Sequence, residues 1–273
     1  LKCFERMRIE GISPDNVTFT CILKAFGSIG AVHKGKQIHE EIVSRGMLEK
    51  DIVLGTALVD MYIKCGELAK AEQVLEELPF RGVVSWNALI SGYVQQEQGY
   101  EALNCFDIMQ SEGIAPNAVT FSCILKACSM IGAIDMGRLM HSEIVKVGIN
   151  DNFLCDFEDK VFNSTKMFYL PIARMEASHI ALENALIDMY GKCGKLDDAR
   201  MMFDKSEQRS FVTWNAMIGG YTQHGHGQEA LQLFLQMKQE NIEPDKVAYI
   251  YLLKACSSTL ALEKGRKIHD MIN

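Results

Sequence analysis

The feature of this sequence that most constrains its fold is internal repetition. The ten residues VSWNALISGY at 84–93 return as VTWNAMIGGY at 212–221, and MYIKCG at 61–66 returns as MYGKCG at 189–194. Each phrase recurs after the same interval of 128 residues. A fixed internal period is typical of repeat proteins, in which each module packs on its neighbours along the chain. The chain is therefore expected to be an array of related modules.

Three kinds of module alternate in a fixed order. Matching the phrases places modules at 1–15 (the tail of one), 16–51, 52–82, 83–117, 118–152, 180–210, 211–245 and 246–273 (clipped). The segment 153–179 matches none of them. The predicted organisation is therefore repeats over 1–152, an insertion over 153–179 and repeats over 180–273. Deleting 155–181 would rejoin a module start with its continuation, so we interpret the insertion as extra sequence, for example a translated intron, with a surface loop as the alternative. We also interpret the sequence as a fragment of a longer protein, cut at both ends.

Each module is predicted to form two helices. In 83–117, apolar residues recur at the spacing of one helical face, first over 86–94 and again over 102–109. Gly113 and Pro116 then end the second helix. A single helical pair cannot bury its own apolar face, whereas a stack of pairs can. The expected fold is an all-α solenoid of helix–turn–helix repeats.

The sequence gives no sign of catalytic or metal-binding chemistry. Its nine cysteines form no CxxC pair, which disfavours both a disulfide scaffold and a zinc site. The H-x-E triplets that begin at His39 and His141 occupy the same module position, so a helical repeat explains them better than a zinc deaminase does. We therefore expect no enzyme activity, no cofactor and no metal. No apolar run is long enough to predict a membrane span, and the net charge of −7 argues mildly against a nucleic-acid partner.

Two families share the predicted outline. The tetratricopeptide pattern is matched by Trp86, Leu89, Tyr93, Ala102 and Phe106, but Ile90 replaces its glycine. The alternation of module lengths, with VVSWNALISGY at 83–93, GIAPN at 113–117 and NALIDMYGKCGKLDDARMMFD at 184–204, resembles plant pentatricopeptide repeat proteins of the P, L and S subclass more closely. The resemblance covers the chain except 153–179, and it implies a right-handed superhelix.

The resemblance also implies the residues that would bind RNA. In this family each motif binds one nucleotide of single-stranded RNA, which is read by the fifth and last residues and sandwiched by second residues. The fifth and last residues here pair as Thr20/Asp51, Thr56/Gly82, Asn87/Asn117, Ser122/Asn152, Asn184/Ser210 and Asn215/Asp245. The second residues are Val17, Val53, Val84, Val119, Val212 and Val247. By the family's code the pairs indicate, in chain order, guanine, a purine, cytosine, adenine, a pyrimidine and uracil.

Two purely structural interpretations of the same residues remain open beside RNA binding. An Asn or Asp at the end of a motif also suits the N-cap of the next helix, and the valines also suit helix-entry contacts. Lys64 and Lys192 occupy one motif position and are candidate phosphate contacts, although a lysine that ends a helix is also favoured by the helix dipole.

The resemblance implies an organellar RNA processing or C-to-U editing factor. Its partners would be single-stranded RNA and editing or processing proteins, with no membrane and no small-molecule substrate. Its location would be the mitochondrion or the chloroplast. The alternative function is a tetratricopeptide-like scaffold for protein–protein interaction, which the acidic balance favours.

Overall fold

The computed structural model describes residues 1–49, 51–146 and 172–272, and their side chains except those of 172–178 and 272. These residues form fifteen α-helices and no strand, which confirms the all-α prediction. The chain forms two compact units, Leu1–Cys123 and Ile124–Asn273.

The first unit is a stack of helical pairs. Its helices are α1 (Lys2–Ile9), α2 (Asn16–Ser28), α3 (Val32–Ser44), α4 (Ile52–Lys64), α5 (Leu68–Glu77), α6 (Val83–Gln95), α7 (Gly99–Ser111) and the beginning of α8 (Ala118–Ile131). Helix α2 packs on α4 and α4 packs on α6, while α3, α5 and α7 each pack on the first helix of their own pair. The first helices of successive motifs thus lie side by side, as the repeat prediction requires.

The second unit repeats this arrangement. After the end of α8 it contains α9 (Ile134–Lys146), α10 (Ile172–Lys192), α11 (Leu196–Lys205), α12 (Phe211–Gln223), α13 (Gly227–Gln239), α14 (Lys246–Ser258) and α15 (Leu262–Ile272). Helix α10 packs on α12 and α12 packs on α14, with α11, α13 and α15 against their own partners. Helix α10 begins at Ile172, inside the predicted insertion, and continues without a break into the motif that follows. The rest of the insertion, 153–171, lies outside the described residues.

The turn between the two helices of a motif is set by glycine. Gly66 and Gly194, the last residues of the two KCG triplets, have φ of 81° and 75°, a conformation that residues with a Cβ rarely adopt. The amide of the next residue then donates to a carbonyl of the last turn of the first helix, Glu67 N to Tyr62 O and Lys195 N to Tyr190 O, each at 2.9 Å. The recurrence of KCG is therefore the recurrence of one helix-ending turn.

The predicted apolar faces form the core. Trp86 and Trp214 are 2% and 0% exposed, and the buried residues that follow them on α6 and α12 include Leu89, Ile90, Met217 and Ile218. The histidines of the two H-x-E triplets are also buried. His39 Nδ1 lies 2.9 Å from Tyr62 Oη, and His141 Nδ1 lies 2.9 Å from Tyr190 Oη, so each links one motif to the next.

Candidate functional site

The last residue of a motif caps the first helix of the next one. Asp51 Oδ1 accepts from the amides of Val53 and Leu54 at 2.9 and 3.0 Å, and Asp245 Oδ1 accepts from the amide of Ala248 at 2.8 Å. These bonds satisfy amides that have no partner within the helix. The N-cap interpretation of these residues is therefore correct. Only the side-chain atoms that are not used in capping remain available to bind a ligand.

Asn117 caps helix α8 in the same way. Its Oδ1 accepts from the amides of Val119 and Thr120 at 3.0 and 3.1 Å. Asp15 caps α2 through Thr18, although it is absent from the predicted reading residues. The Thr18 hydroxyl and amide bind its Oδ1 and lower the pKa of the carboxyl. Asp15 ends the segment GISPD, which parallels GIAPN and NIEPD, so the sequence contained a signal for this cap.

The structure brings two of the predicted pairs together. Asn87 Nδ2 donates to Asn117 Oδ1 at 3.0 Å, and Asn215 Nδ2 donates to Asp245 Oδ1 at 2.9 Å. The two asparagines are buried, at 8% and 9% exposure. Each pair joins the first helix of one motif to the cap of the next, and both pairs belong to the motif type that begins with VVSWN or FVTWN.

Three other pairs do not bond to each other among the described residues. Asp51 Oδ2 accepts from Asn16 Nδ2 at 2.6 Å, and no bond to Thr20 is present. The Thr56 hydroxyl donates to the carbonyl of Ile52 on its own helix at 2.8 Å, and Gly82 has no side chain to offer.

For Asn184 and Ser210 the link is indirect. Both lie beside Thr213, whose hydroxyl donates to Asn184 Oδ1 at 2.7 Å and lies 3.3 Å from Ser210 Oγ. Ser122 is half-buried on α8, while its predicted partner Asn152 lies outside the described residues.

Hydroxyls at the third motif position belong to the site, and the sequence analysis did not include them. Thr120 Oγ1 donates to Asn87 Oδ1 at 2.6 Å, in the preceding motif, and Thr213 does the same for Asn184. The recurrence of Ser or Thr at this position, as Thr18, Ser85, Thr120 and Thr213, was available in the sequence.

Capping leaves one side-chain polar atom of the capping residue in each bonded pair uncommitted. Within the described residues, Asn117 Nδ2 donates to no acceptor and Asp245 Oδ2 accepts from no donor, because the cap and the pair both use Oδ1 of each residue. The first pair therefore offers a hydrogen-bond donor and the second an acceptor. Two sites of the same construction thus differ in the chemistry they present to a ligand.

The predicted stacking valines are all exposed. Val17, Val53 and Val84 are 69%, 66% and 68% exposed, and the remaining three, Val119, Val212 and Val247, are between 44% and 55%. Each valine lies three residues before the fifth position on the same helix, so the two share a helical face. An isolated exposed valine needs no explanation, but the same exposed valine at one position in six motifs defines a regular apolar series.

The candidate phosphate lysines are paired with carboxylates. Lys64 Nζ lies 2.7 Å from Asp60 Oδ2, and Lys192 Nζ lies 2.8 Å from Asp188 Oδ2, one turn earlier on the same helix. Both lysines keep exposed side-chain surface, at 48% and 34%. Their charge is therefore partly balanced within the protein.

The described residues contain no group of three or more histidines, cysteines or acids arranged to hold a metal ion. Among the described helices, none combines the length and the apolar character that crossing a bilayer requires.

Family models match most of the motifs. The model of the PPR repeat family matches 81–130 and 209–258, that of the PPR repeat matches 17–47, 56–83 and 184–211, and that of the pentatricopeptide repeat domain matches 1–28. The chain belongs to the pentatricopeptide repeat family. The family predicted from the sequence is therefore confirmed.

Curated pentatricopeptide repeat proteins of Arabidopsis thaliana resemble the chain along nearly its whole length. One that is named as mitochondrial is 36% identical over 98% of this chain and 29% of its own length. A second is 35% identical over 100% of this chain and 34% of its own length. Another that is named as mitochondrial is 35% identical over 97% of this chain and 38% of its own length. The chain thus spans about a third of the length of these relatives.

Solved structures show the same pentatricopeptide repeat fold. The crystal structure of the pentatricopeptide repeat protein PPR10 in complex with an 18-nt psaJ RNA element matches with a TM-score of 0.69 at 17% identity, over 97% of this chain and 35% of that one. At this identity the likeness concerns the fold, and it confirms the helical-repeat solenoid.

Proposed function

We propose that this chain binds single-stranded RNA by sequence, one nucleotide per motif, as the recognition part of an organellar RNA processing or C-to-U editing factor. The observation that carries the proposal is the repeated site of an exposed valine beside a buried asparagine, which is bonded to a capping residue with one free polar atom. An array of helical repeats that reads one base per repeat with two or three side chains is an established mode of RNA recognition. The RNA-bound solved structure of a family member supports the partner class.

The two bonded pairs would read opposite kinds of ring nitrogen. The free Nδ2 of Asn117 suits the bare ring nitrogen on the pairing edge of cytosine, and the free Oδ2 of Asp245 suits the ring N–H of uracil. The valines would cover the base faces, and stacking in comparable sites is worth roughly 1–3 kcal/mol per base. Because two motifs lie between 83–117 and 211–245, the expected recognition element is a cytosine followed three nucleotides later by a uracil.

The other pairs would contribute less to selectivity. Asp51 has both side-chain oxygens engaged, by the cap and by Asn16, so its reading of guanine would require breaking a bond. Thr56 has no partner side chain at Gly82. We therefore propose that selectivity concentrates at Asn87/Asn117 and Asn215/Asp245. Editing or processing proteins would be the further partners, and the mitochondrial names of two relatives favour that organelle over the chloroplast.

The first test is selection from a pool of randomised single-stranded RNA, followed by sequencing of the retained molecules. Enrichment of a cytosine and a uracil at the expected spacing supports the proposal. Equal recovery of all sequences, together with peptide binding, would instead support a protein-binding scaffold.

A single substitution tests the assignment of the reading atoms. Asn117→Asp replaces the free N–H donor with an acceptor and keeps the Oδ1 that caps helix α8. The preference at the corresponding nucleotide should move from cytosine to uracil by roughly tenfold, because a wrongly matched base contact costs about 1–3 kcal/mol. Binding is measured with RNAs that differ only at that nucleotide, and an unchanged preference would show that the register is wrong.

A further inference from the structure

The asparagines at the fifth position are not held alike. The hydroxyl of Thr120 donates to Asn87 Oδ1 at 2.6 Å, and the hydroxyl of Thr213 donates to Asn184 Oδ1 at 2.7 Å. At the equivalent position after Asn215 the residue is Ala248, which has no hydroxyl. Asn215 Oδ1 is accordingly buried without a hydrogen-bond partner among the described residues.

These contacts determine how firmly each amide is oriented. The Asn87 amide is bonded at both ends, Nδ2 to Asn117 Oδ1 and Oδ1 to Thr120, so a flip would break two hydrogen bonds. The Asn215 amide is bonded at Nδ2 alone, to Asp245 Oδ1. An amide group that is held at one end can rotate away at the loss of a single hydrogen bond, which is worth about 0.5–1.5 kcal/mol.

The hydroxyls act through the asparagines, because they are themselves inaccessible. Thr120 and Thr213 are both 0% exposed, so neither can touch a bound nucleotide. An asparagine Nδ2 carries two hydrogens, and in Asn87 and Asn215 one of them is given to the capping residue, which leaves the other free to serve a ligand. Its direction is fixed only when the amide oxygen is also bonded.

We propose that a threonine at the third position of a motif, here Thr120 or Thr213, is a positioning residue for the nucleotide of the motif before it. It fixes the amide of that motif's fifth residue and so sharpens its base preference. The site of Asn215 and Asp245, where Ala248 replaces the hydroxyl, is the less selective of the two bonded sites. This proposal rests on the proposed RNA binding and adds a fourth residue to the reading sites of Asn87 and Asn184.

The test restores the missing hydroxyl. Ala248→Thr supplies a donor to Asn215 Oδ1, and Ala248→Val is the matched control that adds the same volume without the hydroxyl. Affinities of the full chain are measured for four single-stranded RNAs that differ only at the nucleotide assigned to Asn215 and Asp245. Ala248→Thr should raise the preference for uracil over the other bases by about three- to tenfold, and Ala248→Val should not.

The reverse substitution separates a positioning role from a structural one. Thr213→Val should lower the base preference at the nucleotide of the preceding motif, which Asn184 reads, and leave it unchanged at the nucleotide of its own motif, which Asn215 reads. Since Thr213 Oγ1 also accepts from the amide of Ser210, thermal unfolding is recorded alongside. If Thr213→Val unfolds, the comparison of the two Ala248 variants decides by itself.

The outcomes distinguish this proposal from the proposed function. A wild-type chain that prefers no base at any nucleotide overturns the proposed function, and this proposal with it. A wild-type chain that does select bases, with equal preferences in Ala248→Thr and Ala248→Val, overturns the positioning role alone.

Discussion

At the scale of the residue, equivalent positions differ in whether a buried polar atom finds a partner. Trp86 Nε1 donates to Glu112 Oε2 at 3.1 Å, whereas Trp214 Nε1 is buried without a partner among the described residues. The carboxylate equivalent to Glu112 is Glu240, whose Oε1 is bonded to Arg209 and to Gln236. The repeat therefore preserves the fold while individual side-chain hydrogen bonds are left unmade, at about 1–3 kcal/mol for each buried group.

Thr222 gives a direct test of that penalty. Its hydroxyl is buried without a partner among the described residues, and the equivalent residue of the other repeat is Val94. Thr222→Val should raise the free energy of unfolding by about 1 kcal/mol, because the volume is kept and the unsatisfied hydroxyl is removed. The reverse substitution, Val94→Thr, should lower it. Urea unfolding of both variants measures the effect, and equal stability of Thr222→Val and wild type would contradict it.

At the scale of the element, small residues set how closely the first helices approach. Helices α10 and α12 meet through glycines, and a Cβ added at Gly220 would lie 2.9 Å from the Cα of Gly191. In the other repeat, Ile63 stands at the position of Gly191. Its side chain lies 2.7 Å from the position that a Cβ on Gly92 would occupy. The difference between MYIKCG and MYGKCG thus corresponds to two ways of filling the same helix contact.

Gly220→Ala should destabilise the second unit. The new methyl group meets the backbone of α10, which cannot move aside as a flexible side chain could, and overpacking of this kind costs about 1–3 kcal/mol. The matched control is Gly265→Ala in α15, where the Cβ would lie 3.6 Å from Cys256 Cβ in ordinary contact. The control should stabilise by about 0.5–1 kcal/mol through helix propensity. Thermal unfolding measures both variants, and melting temperatures that shift in the same direction would contradict the close approach of the two helices.

At the scale of the whole molecule, the proposed RNA binding would draw its affinity mainly from contacts with the bases. The net charge is −7, and the two candidate phosphate lysines are each paired with an aspartate. Release of counterions from phosphates supplies much of the affinity of basic nucleic-acid-binding proteins, and little of it is available here. Under the proposed function, weak attraction to the backbone would favour discrimination between sequences, since non-specific binding would be weak as well.

Global stability should depend on pH through the histidines that link successive motifs. Burial lowers the pKa of His39 and His141 below 6.5, while in the unfolded chain it returns to about 6.5. Unfolding therefore takes up protons at acidic pH. The stabilisation that each buried neutral histidine provides is complete above pH 6.5 and is lost as the pH falls towards its lowered pKa. At pH 5.5 the loss is at most about 1.4 kcal/mol per histidine.

The measurement compares unfolding free energies at pH 7.5 and 5.5. The variant His39→Gln should lose less stability on acidification than wild type, because one neutral buried imidazole has been removed. His33→Gln, at an exposed position of the same helix, is the control and should behave as wild type. Identical acid sensitivity in all three proteins would exclude this source of pH dependence.

Most helices and their ends could be predicted from the sequence, because they depend on neighbours along the chain. The apolar spacing after Trp86 indicates a buried helical face, and the glycine of KCG allows the positive φ that ends the helix. The identity of the capping residues follows from the same local rules. The start of α10 at Ile172 was not predicted, since 153–179 lacks the repeat pattern that guided the rest.

Which side chains meet across motifs was decided by the tertiary structure. Asn87 and Asn117 are separated by thirty residues, and their contact depends on the spacing of two packed helices. The same is true of Asn16 with Asp51 and of Thr120 with Asn87, neither of which was predicted. The sequence by itself determined an array of helical pairs with capped ends. Only packing determined which polar atoms bond to each other and which are left for a ligand, because that requires distances between helices rather than positions in a repeat.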